Sequence, residues 1–289
     1  MNIGIIGAGR MGSSIALALA EKGHTITGIA SRSKESSDKL NALLGLTLPN
    51  DATLTVGNSD VVFIAVPDGA IEDMARNIAK ESLSYDIAQK VFLHTSGALT
   101  SELLKPLEER GGHTGSFHPI QTFADKETGW KGLFNIYFGF EGSQKARDYA
   151  EKIVESLHGT LLFIERDMKP LYHAAACIIS NYTVALSYAA GKLLERAGIP
   201  EKDATRALIP LLLKTADNIN ELGSLRALTG PVSRGDFVTV SRHLKALLAN
   251  KTGMEDLYRV LGRLTIEASL ERGGYDDNTA KKLEEILEC

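Results

Sequence analysis

The residues with the clearest chemical meaning come first in the chain. Gly7-Ala8-Gly9-Arg10-Met11-Gly12 lies between an apolar run, residues 2–7, and a helical run, Ser13–Lys22. In a G-x-G-x-x-G at such a junction the first glycine allows a tight turn and the second lets backbone amides approach a pyrophosphate. The third lets helix pack on strand. The helix N-terminus adds unpaired N–H groups and the positive end of its dipole. Because the motif opens a βαβ unit with further alternating units behind it, the spacing points to a dinucleotide site. The second strand then bears on which dinucleotide. An NAD site usually carries an acidic side chain there, for the ribose 2′-hydroxyl. This chain reads Ala30-Ser31-Arg32-Ser33-Lys34. Arg32, with the hydroxyls of Ser31 and Ser33, can grip a 2′-phosphate, so NADP(H) is expected over NAD(H). The alternative is a solvated, helix-capping turn. Ala65-Val66-Pro67 ends a buried strand at its carboxyl edge, where doubly wound sheets bind ligands. Asp68 is expected to cap the helix that follows.

A second set of polar residues would face a substrate. Ser96, in His94-Thr95-Ser96-Gly97, offers a hydroxyl to a carboxamide or a substrate, or simply closes a turn. His118 precedes Pro119, which holds it extended; it points at a cleft or is structural. His173, Cys177 and Asn181 recur every four residues along one side of a long helical run of mostly apolar neighbours. A buried imidazole and amide there need either each other or a ligand. Cys177 reads as core filler. Lys169, one turn earlier, reaches the same cleft or snorkels at the helix end. Arg234, in Thr229–Asp236, suits a substrate carboxylate or a structural one, and Asp236 is placed to cap the next helix. His243 falls close to the same helical face as Asp236.

The elements that must position these groups divide the 289 residues into two halves. Strands alternate with helices up to about Ile164. They include an apolar strand at Asp60–Val66 and a weak one at Thr53–Thr55. Such alternation predicts an α/β fold, a Rossmann-type doubly wound parallel sheet. Beyond it the pattern is helical throughout: Lys169–Ala197 as one helix, then Glu201–Leu222, Asp236–Leu248, Met254–Glu271 and Asn278–Leu287. The expected domains are 1–165, binding the dinucleotide, and 166–289, helical, for substrate and for dimerisation. The formal charge of −4 gives no basic excess for nucleic acid. No apolar stretch approaches the roughly 20 residues that span a bilayer, and no secretory signal is visible. Two cysteines, Cys177 and Cys289, form neither a disulfide framework nor a metal motif, so a reduced cytoplasmic protein without a metal is expected.

With these motifs placed, the chain resembles the 6-phosphogluconate-dehydrogenase-like superfamily, which includes ketopantoate, pyrroline-5-carboxylate and β-hydroxyacid oxidoreductases and prephenate dehydrogenases. It is most similar to a family of Rossmann-like oxidoreductases whose helical domain has no firmly assigned function. The wording of Ser116–Phe123, Tyr172–Asn181 and Leu228–Asp236 carries that likeness. Some members look like an alternative ketopantoate reductase. In ketopantoate reductases a catalytic lysine precedes an asparagine by eight residues. Aligning on Asn181-Tyr182-Thr183-Val184-Ala185-Leu186 puts His173 in the lysine's place. The substitution keeps a proton donor but lowers its ordinary pKa from about 10.4 to about 6.5. The Gly-Pro-Val-Ser loop at Gly230 is similar in placement to the substrate loop of pyrroline-5-carboxylate reductases, without their double glycine and paired threonines. The resemblance implies reduction of a small keto or imino acid. The apolar faces of the helical half, in turn, suggest a homodimer formed mainly through residues after Glu165. On the reductase reading His173 donates the proton, with Lys169 or His118 as the alternative donor, Asn181 and Ser96 orient substrate, and Arg234 takes a carboxylate. The competing reading is a non-catalytic NADP(H)-binding sensor.

Overall fold

A computed structural model describes residues 1–81, 86–123 and 128–288. Cys289 lies outside the described residues. The chain forms two compact units, Met1–Ser180 and Asn181–Cys289, so the division falls beyond the junction expected at Glu165.

The first unit is built on a seven-stranded sheet in the order β2-β1-β3-β4-β5-β6-β7. Its elements begin with β1 (Asn2–Ile6), α1 (Arg10–Glu21), β2 (Thr25–Ala30), α2 (Lys34–Leu44) and α3 (Ala52–Gly57). There follow β3 (Val61–Ile64), α4 (Ile71–Glu81), β4 (Val91–His94), α5 (Lys105–Glu108) and β5 (His113–Pro119). The unit ends with β6 (Tyr137–Gly142), α6 (Gln144–Ser156), β7 (Thr160–Phe163) and α7 (Lys169–Ile179). Strands β1 to β5 pair in parallel, and β3 (Val-Val-Phe-Ile) is wholly apolar because helices cover both faces. Ile3, Ile5, Val61, Phe63 and Leu93 meet α1 and α6 on one face; Ile6, Val62, Ile64 and Phe92 meet α4 and α5 on the other. Each such side chain contributes roughly 1.5–3 kcal/mol of burial. The β5–β6 pair departs from the all-parallel expectation, since β6 runs antiparallel to β5, while β7 is again parallel to β6. Among the described residues only a 3-10 turn, Gly129–Leu133, lies between β5 and β6, and an antiparallel neighbour needs no crossover helix.

Two expected elements change. Thr53–Thr55 is not a strand but part of α3, because Asp51 accepts a hydrogen bond from the Leu54 N–H at 2.8 Å and caps a helix there. The single helix Lys169–Ala197 is two, α7 and α8 (Asn181–Arg196), parted at Ser180 (φ −98°, ψ −69°) with no nearby Pro or Gly to announce the break.

The second unit is helical: α8, α9 (Glu201–Leu222), α10 (Ser224–Ala227), α11 (Phe237–Ala249), α12 (Glu255–Glu271) and α13 (Asp277–Glu288). Its core gathers Val240, Leu244, Ile266, Leu283 and Leu287. No helix among the described residues is long and apolar enough to cross a membrane.

Candidate functional site

Register places the candidate residues of the first unit along one edge. Ile6 pairs with Ala30 and Ile64, Ile64 with His94, and His94 with Ser116. The chain beyond these positions therefore lies at the carboxyl edge of the sheet, where β5 alone runs on to Pro119. The strand order reverses around β1, and such a switch point is where open α/β sheets bind ligands.

At that point stands the glycine turn. Gly7 has φ +105°, and a Cβ there would lie 2.4 Å from the Ala65 carbonyl oxygen. A Cβ on Gly12 would lie 2.0 Å from the Gly7 carbonyl oxygen, so these two glycines answer to the fold itself. Gly9 differs: nothing lies within 4 Å of the space a Cβ would fill. It heads α1 without a side-chain cap, and no acidic residue occupies the first turn. Free N–H groups beside open space suit an anion. Arg10 is exposed and reaches the Phe123 carbonyl at 3.4 Å. Met11 packs on the core, and Ala8 is buried in it, so Ala8 brings only backbone.

At the end of β2, Arg32 is exposed. Ser33 caps α2, its hydroxyl accepting from the Ser36 N–H at 3.3 Å. Ser31 is held by Asn50, whose side chain accepts from the Ser31 N–H at 2.7 Å and donates to its carbonyl at 3.0 Å. Asn50 had no signal in the sequence beyond its place before a capping aspartate. Ala65 and Val66 are half-buried and Pro67 is exposed. Asp68 does not cap the next helix as expected; its carboxylate accepts the Ser96 hydroxyl at 2.9 Å.

The loop after β4 is held from below. The Ser96 N–H donates to His94 Nδ1 at 3.2 Å, which puts that ring's proton on Nε2, 3.0 Å from the Thr100 carbonyl. Burial pushes His94 down to about 4, so it is neutral. Lys169 neither snorkels nor lies open: it is 1% exposed, the one buried residue of α7. Its Nζ donates to Ser116 Oγ at 2.6 Å, and Ser116 donates to the Ser96 carbonyl at 3.0 Å. Burial lowers Lys169 to about 8, against the pull of Glu141 and Asp68.

Above the loop stand two imidazoles. The rings of His118 and His173 lie 5.9 Å apart at 74°. A Cβ on Gly97 would meet His173 Cδ2 at 2.6 Å and His118 Nε2 at 2.9 Å. His118 Nδ1 lies 2.7 Å from the Tyr172 hydroxyl, a partner that sequence reading missed. The expectation of a buried α7 is corrected: Leu171, Ile178 and Ile179 are exposed and His173 is half-buried. Cys177 is not core filler; its Sγ sits 3.8 Å from His173 Nδ1.

In the second unit Asn181 is exposed at the start of α8, not buried as the apolar pattern implied. Arg234 is exposed in the 3-10 turn Val232–Arg234. Asp236 caps α11, accepting from the Thr239 N–H at 3.0 Å. The turn is fixed by Arg272, which donates to the Leu228 carbonyl at 2.7 Å and to Ser233 Oγ at 2.6 Å. His243 pairs with the Tyr258 hydroxyl at 3.0 Å. Among the described residues no group of three or more His, Cys, Asp or Glu is placed to hold a metal ion.

Residues 1–119 match the Rossmann-like domain model, and 136–265 match a domain of unknown function, DUF2520. The crystal structure of a Thermotoga maritima protein is 30% identical, covering 94% of this chain and 99% of its own, with a TM-score of 0.72. The chain belongs to the family of Rossmann-like proteins that carry a DUF2520 domain. Another structure similar to this family member is a Bacteroides fragilis protein provisionally assigned as an NADP oxidoreductase. It is 25% identical, covers 91% of this chain and 97% of its own, and has a TM-score of 0.72. An imine reductase of Myxococcus stipitatus, solved with NADP+, is 18% identical over 99% of this chain and 100% of its own, at a TM-score of 0.65. A Coxiella burnetii pyrroline-5-carboxylate reductase is 17% identical over 99% and 98%, at 0.61. At those identities the last two speak for the fold alone. No curated protein matches the DUF2520 family member.

Proposed function

We propose that the chain is an NADP(H)-dependent oxidoreductase that reduces a small keto or imino acid. The observation that carries this reading is the turn at Gly7–Gly12. It leaves open space over Gly9 and an uncapped helix N-terminus at the switch point of the sheet. The backbone of Gly7 to Gly12 would hold the pyrophosphate, with Ala65, Val66 and Pro67 alongside. Arg32, Ser31 and Ser33 would take the 2′-phosphate, since no carboxylate stands among residues 31–34 to repel it. The Bacteroides neighbour bears NADP in its description, which supports this preference. A variant of the Myxococcus enzyme holds NAD+, so the fold alone does not choose.

A nicotinamide bound here supplies or accepts the hydride. What remains for the protein is to orient the carbonyl or imine, steady the charge that develops and deliver a proton. His173 is the proton donor on this reading, and His118 stands beside it. Ser96, tied to Asp68 and the Lys169–Ser116 pair, forms a loop firm enough to orient substrate. In the second unit Asn181 offers an exposed amide for substrate and Arg234 an exposed guanidinium for a carboxylate. The protein acts as a homodimer, supported by the exposed apolar side chains of its helices, and works in a reduced cytoplasm. The test is NADPH oxidation against a panel of ketopantoate, pyrroline-5-carboxylate and several 2-oxo acids. Saturable consumption with at least one supports the reading, and none across the panel would overturn it.

A further inference from the structure

The two imidazoles at Gly97 are not equivalent, and the difference lies in Tyr172. Its phenol oxygen lies where a Cβ of residue 139 would be: on Gly139 that atom would stand 2.3 Å away, so only glycine admits the ring. The phenol has one proton to give. The nearest acceptor is His118 Nδ1 at 2.7 Å. A phenol is a better donor than a neutral imidazole N–H, and an imidazole nitrogen the better acceptor. His118 therefore carries its proton on Nε2. That nitrogen is the one turned toward the gap that Gly97 leaves, 2.9 Å from the position of a Cβ there.

We infer that Tyr172 is a positioning residue that locks His118 as a neutral Nε2–H donor, presented over Gly97 to the carbonyl oxygen or imine nitrogen of the substrate. This rests on the reductase reading for the identity of the acceptor, but the lock itself is a property of the free protein. The titratable groups facing His118 agree. Lys169, Tyr172 and His173, all on α7, surround it; its β6 neighbour is Gly139, and the loop after β4 offers only Ser96 and Gly97. Burial, with the charges of Lys169 and His173, pushes His118 down to about 4, while burial pushes the Tyr172 phenol up to about 12. Both partners stay neutral across the physiological range. A division of labour follows: His118 offers a hydrogen bond without ionising, which leaves proton delivery, on the reductase reading, to another group of the site.

Long-range 1H–15N spectra of the histidine-labelled protein, without cofactor, test this, with His118→Gln giving the assignment. The expected result is a single tautomer, Nδ1 bare and Nε2 protonated, unchanged from about pH 5.5 to 8. In Tyr172→Phe the same signals should move toward mixed tautomers, and kcat should fall about tenfold or more with NADPH affinity kept. A protonated Nδ1, a titration within that window, or a tautomer indifferent to Tyr172→Phe would overturn the inference. A substrate panel without turnover beside the expected spectra would instead overturn the reductase reading and leave the lock established.

Discussion

At the scale of single residues, the carboxyl edge of the sheet sorts its histidines by what each can give. His94 is a structural base of the loop, neutral and doubly bonded; His118 is held by Tyr172; His173 is half-buried beside Cys177. If His173 donates the proton, His173→Ala should lower turnover on an established substrate by about 10²–10⁴-fold. NADPH affinity in a fluorescence titration should stay the same. Near-normal turnover would make the histidine structural. Asn181→Ala should raise KM if its amide holds substrate, and an unchanged KM would remove it from the site. His94 makes a prediction about stability. Its pKa is about 4 folded and close to 6.5 unfolded, so above 6.5 neither state binds the proton. As pH falls from 6.5 through 4 only the unfolded chain takes it up, and stability is lost over that window. The loss is of order 3 kcal/mol. Urea midpoints at pH 7 and pH 4 should therefore diverge less in His94→Gln, which can still bond both neighbours; an equal divergence would contradict the argument. His173 and His118 were legible from the sequence because histidine at a strand end or on a helix face stands out. Lys169 was half legible: reaching the cleft was one of two readings, because a lysine in a first helical turn ordinarily reaches water, and only the tertiary fold shows its amine under the Ser96 loop.

At the scale of elements, one turn does two jobs that substitution can separate. Gly12→Ala drives a Cβ into the Gly7 carbonyl, which cannot retreat because Gly7 itself sits tight beneath Ala65. It should destabilise the fold by about 1–3 kcal/mol. Gly9 has φ −77° and ψ −171°, a conformation open to any residue. Gly9→Ala should cost roughly 0.5–1 kcal/mol, because alanine is a poorer N-cap than glycine, and meets no clash. It should nevertheless weaken NADPH at least tenfold, or about 1.4 kcal/mol. Thermal melts beside cofactor titrations check both, and a Gly9→Ala variant with full affinity would place the pyrophosphate elsewhere. The turn was readable because three glycines at fixed spacing leave few alternatives. Thr53–Thr55 was misread because β-branched residues suggest a strand, while the deciding hydrogen bond comes from Asp51 just before them. The break at Ser180 had no local mark, and the antiparallel β6 follows from what connects it rather than from its own residues.

At the scale of the molecule, much of the helical surface is apolar. Val184 is 71% exposed, Leu211 65% and Leu213 61%, with Val260 and Leu264 also open on α12. Patches of this kind mark association surfaces. Sedimentation at micromolar concentration should give twice the 31.2 kDa chain mass, and Val184→Glu should shift it toward the monomer. A monomer for the unaltered protein would contradict the dimer. The two-part organisation was legible because strand and helix periodicities change sharply near Ile164. The extra helix joined to the first unit was not, since α7 continues the helical pattern without a linker. Whether the glycine turn and Arg32 hold NADP(H) is decided by competing fluorescence titrations of NADPH and NADH. NADPH should bind at least tenfold tighter, about 1.4 kcal/mol, with the preference lost in Arg32→Ala. Equal affinities, or a preference that survives Arg32→Ala, would contradict that assignment.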